Sequence, residues 1–145
     1  MKQFNVCLKS MQGIIIAIVV FGGLMALFNT SLLAPLLGGI IDQVFWPSEK
    51  ISEGTALFRH WIVSLLGAMM VAWGMALWGI SRHAFAERKI WAWNTIMIST
   101  LGWFVIDESF SLSCRVWVNA IGNLPLFFAL TGVLLVSRKY MVAEE

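Results

Sequence analysis

Charged side chains are scarce in this chain: Asp, Glu, Lys and Arg make up 12% of its 145 residues, and apolar residues reach 59%. Soluble domains run at roughly 25% charged and about 45–50% apolar, so a water-exposed surface of ordinary composition is excluded. The formal net charge of +2 is too small to gather a nucleic-acid backbone, and no nucleic-acid partner is expected. Cysteine is limited to Cys7 and Cys114, with no C-x-x-C pair, which argues against thiol–disulfide chemistry. Histidine is limited to His60 and His83, which are 23 residues apart. On one helix that separation is about 34 Å along the axis, so they cannot share a metal or clamp one haem. No His/Cys/carboxylate group has metal-ligand spacing, and neither a Gly-rich phosphate loop nor G-x-S-x-G occurs, so no cofactor is expected.

Long uncharged runs are what the chain has instead. From Ile62 to Ile80 it reads IVSLLGAMMVAWGMALWGI, 19 residues without a charge. It is one of four such runs, at about 11–28, 60–80, 90–108 and 116–137. Crossing about 30 Å of hydrocarbon takes roughly 20 mainly apolar residues. The pattern predicts an all-α membrane protein, a single transmembrane domain over 1–145 built as a bundle of four helices. The first run follows Lys2 and Lys9 but lacks a small-x-small cleavage site after it, and reads as a retained helix rather than a signal peptide.

Orientation follows from the cations. Lys2, Lys9, Arg82, Arg88, Lys89, Arg138 and Lys139 lie before the first run, between the second and third, and after the fourth. Lys50, Arg59 and Arg115 lie in the other two connections. Short loops rich in Lys and Arg stay cytoplasmic, so the N and C termini of a multi-pass membrane protein are both expected there. Trp78, Trp91 and Trp93 then fall near one interface and Trp46, Trp61, Trp103 and Trp117 near the other, the two levels an indole favours. Cys7 and Cys114 would lie on opposite sides and could not pair.

Small residues suggest how helices meet. Ser64, Ala68, Ala72 and Ala76 recur every four residues in the second run, and Gly13, Ala17, Gly22 and Ala26 mark the first. Faces of this kind let helix backbones approach closely in lipid, so the Ser64–Ala76 face is expected to be buried. The connection 29–58 is too apolar for a free loop and too broken by Pro35, Gly38, Gly39 and Pro47 for a further span. It is expected at the outer interface or dipping over the bundle mouth.

The few polar residues near the membrane are the candidates for function. Thr95, Ser99, Trp103, Asp107 and Ser111 step by four along the third run, a stripe that drifts about 40° per step. Asp107 lies 17 residues past Ile90, at the outer boundary, where a carboxylate must face the bundle and find a partner. Asn119 and Asn123 are one turn apart beside Gly122 and Pro125, and Arg115 opens that helix. Arg59 and His60 open the second run at a similar depth. Together Arg59, His60, Asp107, Ser111, Arg115, Asn119 and Asn123 form the candidate ligand-binding set at an outer polar mouth. No residue is assigned a catalytic role.

One pattern resembles a known group. W-G at Trp73 and Gly74 is followed by Glu87, Arg88, Trp91, Ala92 and Trp93, then W-F-V-x-D-x-x-x-S (Trp103, Phe104, Val105, Asp107, Ser111) and N-x-x-x-N (Asn119, Asn123). This resembles a family of uncharacterised bacterial four-span integral membrane proteins, DoxX-like in size and layout, over the last three runs. Glu108 departs from the small or apolar residue the pattern implies after the aspartate. The resemblance implies a multi-pass protein of a bacterial inner membrane and no reaction. The favoured reading is a protein without a reaction of its own, binding a hydrophobic small molecule, a lipid or a partner protein at the outer mouth. One alternative is a lipid-modifying enzyme resembling the emopamil-binding isomerases, with Asp107 as acid/base and His60 its partner. Another is an accessory or assembly subunit of a membrane complex. The expected partners are membrane lipids, a hydrophobic ligand, and a second copy or a partner membrane protein.

Overall fold

The computed structural model describes residues 2–28, 39–47 and 51–142, and these are helical nearly throughout. Five α-helices run in order: α1 (Lys2–Phe28), α2 (Gly39–Phe45), α3 (Glu53–Ile80), α4 (Ile90–Ser113) and α5 (Trp117–Ser137). A five-residue π-helical segment, Ser81–Phe85, continues α3, and a 3-10 turn, Arg138–Tyr140, ends α5. Among the described residues three stretches are long and apolar enough to cross a membrane: Lys2–Phe28, Glu53–Phe85 and Trp117–Tyr140. Such segments form helices because hydrocarbon offers their backbone N–H and C=O groups no other partner. At 24 residues α4 has the length, about 36 Å, but it is more polar, with Asn94, Thr95, Ser99, Thr100, Asp107 and Glu108 along it, and it is not among the three.

Several ends lie beyond the apolar runs. α1 begins at Lys2 rather than near 11, its first turns held by the burial of Phe4 and Cys7. α3 begins at Glu53 because Ser52 caps it, its Oγ accepting the Thr55 N–H at 3.2 Å. The segments 29–38 and 48–50 of the connection lie outside the described residues. Between them stands α2, only seven residues long, too short to cross.

Contacts divide the chain into two units. One comprises Met1–Ile16 with Met75–Glu145, the other Ala17–Gly74. In the first, Phe4, Cys7, Met11 and Ile15 of α1 are buried in steps of three and four, as are Leu77, Ser81 and Ala84, with Phe85 buried beside them. That alternation keeps one narrow stripe facing inward along a helix. The π-helical segment adds a residue to the turn, which keeps Phe85 fully buried while Arg82 and His83 stay exposed. Phe4 stacks on Phe85, with ring centroids 6.0 Å apart, and meets Tyr140 edge-on at 5.9 Å. The Tyr140 hydroxyl donates to Gln3 Oε1 at 2.6 Å, and Val142 joins the turn through N–H to the Arg88 carbonyl (2.8 Å) and carbonyl to the Ile90 N–H (3.2 Å). The start of α1, the α3–α4 turn and the end of α5 are thus tied together.

In the second unit α1 and α3 touch backbone to backbone. A Cβ placed on Gly67 would lie 2.5 Å from Ala26 N and Gly22 O, and one on Gly22 would lie 2.8 Å from Gly67 O. One on Gly74 would meet Val19 Cγ2 at 2.5 Å. Ser64 Oγ donates to the Ala26 carbonyl at 3.1 Å. This corrects the expected packing face. Ala68, Ala72 and Ala76 are exposed, and the buried line runs through Val63, Gly67, Gly74 and Leu77. Every-fourth spacing winds off a contact line that must average 3.5 to 3.6 residues per turn.

Candidate functional site

α4 and α5 form an antiparallel hairpin around a tight turn. The turn closes as a Schellman motif: Val116 N–H donates to the Ser111 carbonyl at 2.8 Å and Arg115 N–H to the Leu112 carbonyl at 3.1 Å. Arg115 takes the left-handed position, φ 61°, that glycine usually fills. From the turn the two helices pair in register. Ser111 meets Asn119, Asp107 meets Asn123, and Phe104 stacks on Phe127 with centroids 3.8 Å apart. The buried Thr100 and Ile96 on α4, and Leu130 and Leu134 on α5, continue the same steps. At the far end Trp93 Nε1 donates to the Leu134 carbonyl at 2.7 Å. The buried line on α4 is therefore Ala92, Ile96, Thr100 and Ser111, with Asp107 half-buried beside it and Thr95 exposed; the step of four from Thr95 drifts by about 120° before reaching Asp107.

The hairpin brings four candidate residues into one hydrogen-bonded cluster. Asn119 Nδ2 donates to Asp107 Oδ1 at 2.9 Å and to Ser111 Oγ at 2.8 Å. Asn123 Nδ2 donates to Asp107 Oδ2 at 2.8 Å and to Glu108 Oε1 at 3.0 Å. The Ser111 hydroxyl in turn donates to Asp107 Oδ1 at 3.3 Å. Each amide has two N–H groups, and each spends both. Asp107 accepts three hydrogen bonds, all from uncharged donors. The two carboxylates face no cation in the cluster, and what the cluster has left to offer is acceptor capacity: carboxylate lone pairs and amide oxygens. Pro125, one turn beyond Ile121, has no N–H to return to that carbonyl and so loosens α5 beside Asn123.

The other three candidates are not among these hydrogen bonds. Arg115 is exposed in the turn and is not a partner of Asp107 or Glu108. Arg59 and His60 belong to the Ala17–Gly74 unit, where the Arg59 guanidinium pairs with Asp42 Oδ2 on α2. His60 is half-buried. Two residues that sequence reasoning passed over take part. Glu108 shares Asn123 with Asp107, and its adjacency to Asp107 was the available signal, since neighbours 100° apart on a helix can flank one side chain between them. Asp42 was the one acid in an apolar segment, a placement that calls for a partner; its Oδ1 is buried without a hydrogen bond, as is Thr100 Oγ1. Among the described residues no group of three or more His, Cys, Asp or Glu could hold a metal ion. Cys7 and Cys114 are free thiols, the first buried and the second exposed.

The architecture defines an all-helical protein of membrane character, with three helices competent to cross a bilayer and a carboxylate–amide cluster on its last hairpin. No family model, no curated protein and no solved structure matches the chain.

Proposed function

We propose that this chain is a four-span bacterial inner-membrane protein that binds an amphiphilic molecule, a lipid or hydrophobic small molecule with a hydrogen-bond-donating head, at the Asp107 cluster. The fourth span is α4. It runs beside α5 from Trp93–Leu134 to Ser111–Asn119, so whatever thickness α5 crosses, α4 crosses in the opposite sense. The start of α1 and the end of α5 share one end with the α3–α4 turn, which is what an even number of crossings requires. That end carries the cations and is cytoplasmic in this reading; the Asp107 cluster is then at the outer level.

The surplus of acceptors carries the ligand assignment. With all four amide N–H groups spent inside the cluster, an added molecule has to bring the donors, as an ammonium or hydroxyl head would, while its apolar body lies along the hairpin. Mass spectrometry of small molecules co-extracted with the purified protein tests this. An amine- or hydroxyl-headed amphiphile retained by the natural chain and lost from an Asp107→Asn variant that still folds, but kept by an Asn119→Ala variant, supports the reading. Equal retention by the natural chain and Asp107→Asn, or none by either, refutes it. The bridging of Asp107 and Glu108 by one amide also favours a second reading, a lipid-modifying enzyme with two coupled carboxyl groups, which turnover of the retained molecule would reveal.

A further inference from the structure

The end of the molecule remote from the Asp107 cluster gathers positive charge from three separate stretches of chain. Lys2 precedes Gln3 and Phe4 on α1, Arg82 leaves the π-helical segment, and Arg138 and Lys139 close α5; all four side chains are exposed. The contacts of Phe4 with Phe85 and of Tyr140 with Phe4 and Gln3 hold these stretches together. Two of these charges, and that of Arg88 beside them, lie over aromatic faces. Arg138 lies 5.3 Å from the centroid of Trp93, Lys139 lies 5.1 Å from that of Tyr140, and Arg88 lies 4.8 Å from that of Phe4. A cation held on a ring keeps its full charge and its donors, and is already ordered for an incoming anion. Glu87 is the one acidic residue among the described residues of this end.

We infer that this end is a binding surface for anionic phospholipid headgroups of the adjoining leaflet. The argument rests on the membrane reading above, because it takes the ends of α1 and α5 to lie at headgroup depth. The aromatic residues favour a lipid over a soluble anion. Trp93 and Tyr140 are half-buried with polar tips engaged, the arrangement an interface selects, and they set the cations at the level of the lipid phosphates. Each cation near an anionic surface strengthens attraction by roughly fivefold.

The full chain is purified in detergent and titrated with phosphatidylglycerol or phosphatidylcholine, and bound lipid is counted by native mass spectrometry. The variant is Arg82→Gln/Arg138→Gln/Lys139→Gln, with Arg82→Lys/Arg138→Lys/Lys139→Arg as the charge-preserving control. The natural chain and the control are expected to prefer phosphatidylglycerol, and the glutamine variant to lose at least about tenfold of that preference at an unchanged melting temperature. Equal retention of the two lipids by the natural chain overturns the inference, and so does a glutamine variant with its preference intact. Release of phosphatidylglycerol by millimolar inorganic phosphate overturns it in favour of a soluble-anion site. Should the glutamine variant fail to fold, the single variant Arg82→Gln replaces it, with a roughly fivefold loss expected and no loss overturning. A reporter after Lys89 separates the two readings. A periplasmic signal with preference intact refutes the orientation alone, and a cytoplasmic signal without preference refutes the lipid surface alone.

Discussion

Replacing Gly67 by alanine adds one methyl group where α1 and α3 meet. The new Cβ would sit 2.5 Å from Ala26 N and Gly22 O and 2.9 Å from Met25 Cβ, where ordinary contact begins near 3.4 Å. The obstacles at 2.5 Å are backbone atoms, so no side chain can rotate away, and the helices must part by about 1 Å. Forcing a methylene into a packed contact costs about 1–3 kcal/mol. Each separated atom pair forfeits a further ~0.1–0.2 kcal/mol at most, and the Ser64 bond to the Ala26 carbonyl is stretched as well. Alanine's helix propensity returns about 1 kcal/mol. The net expectation is a loss of about 2 kcal/mol, seen as a melting temperature lower by roughly 5–10 °C in detergent, followed by tryptophan fluorescence. Gly79→Ala is the matched control, because a Cβ there meets nothing within 4 Å. It should be neutral or raise the melting temperature slightly. If the two variants melt together, α1 and α3 are not in backbone contact and the packing described for the Ala17–Gly74 unit is wrong.

Ala72→Leu, on the exposed side of α3, should change the melting temperature by no more than about 0.5 kcal/mol equivalent, and a large loss would put that face against another helix after all. Arg115→Gly should stabilise the α4–α5 turn by up to about 1 kcal/mol, since glycine adopts φ 61° without strain; a loss in thermal melts would show that the Arg115 side chain holds something in place. Asn123→Ala removes the donor shared by Asp107 and Glu108 and should destabilise by about 1–3 kcal/mol, and more than Asn119→Ala, whose side chain is the more exposed. The reverse order in denaturation experiments would contradict the cluster's geometry.

The features most legible in the sequence are those set by composition and by short-range spacing. Helical class follows from long uncharged runs. The meeting of Asp107 and Ser111 with Asn119 and Asn123 follows from two side chains one turn apart on each arm of a short-looped hairpin, where an antiparallel return brings matching levels face to face. Packing faces are less legible, because a difference of 0.4 residue per turn accumulates. Ala68, Ala72 and Ala76 share a row with Ser64 by count, yet only Ser64 is drawn in, and Gly67 and Gly74 make the contact. The partner of Arg59 lay 17 residues away on a seven-residue helix inside an irregular connection, where no periodicity announces position. The crossing proposed for α4 is harder still to read from hydropathy. Its polar residues lower its mean, although Asp107 and Ser111 spend their polarity on α5 and Thr95 and Ser99 on carbonyls of α4 itself.

The crossing of α4 is the claim on which orientation and site both depend, and Cys114 reports on it directly. This thiol is exposed in the α4–α5 turn, whereas Cys7 is buried on α1, so a membrane-impermeant maleimide has one ready target. In spheroplasts of cells expressing the Cys7→Ser variant, the account predicts that Cys114 is labelled from outside without lysis. Labelling only after the membrane is opened would place the turn, and Asp107 with it, on the inner side and contradict the four-span arrangement with cytoplasmic termini.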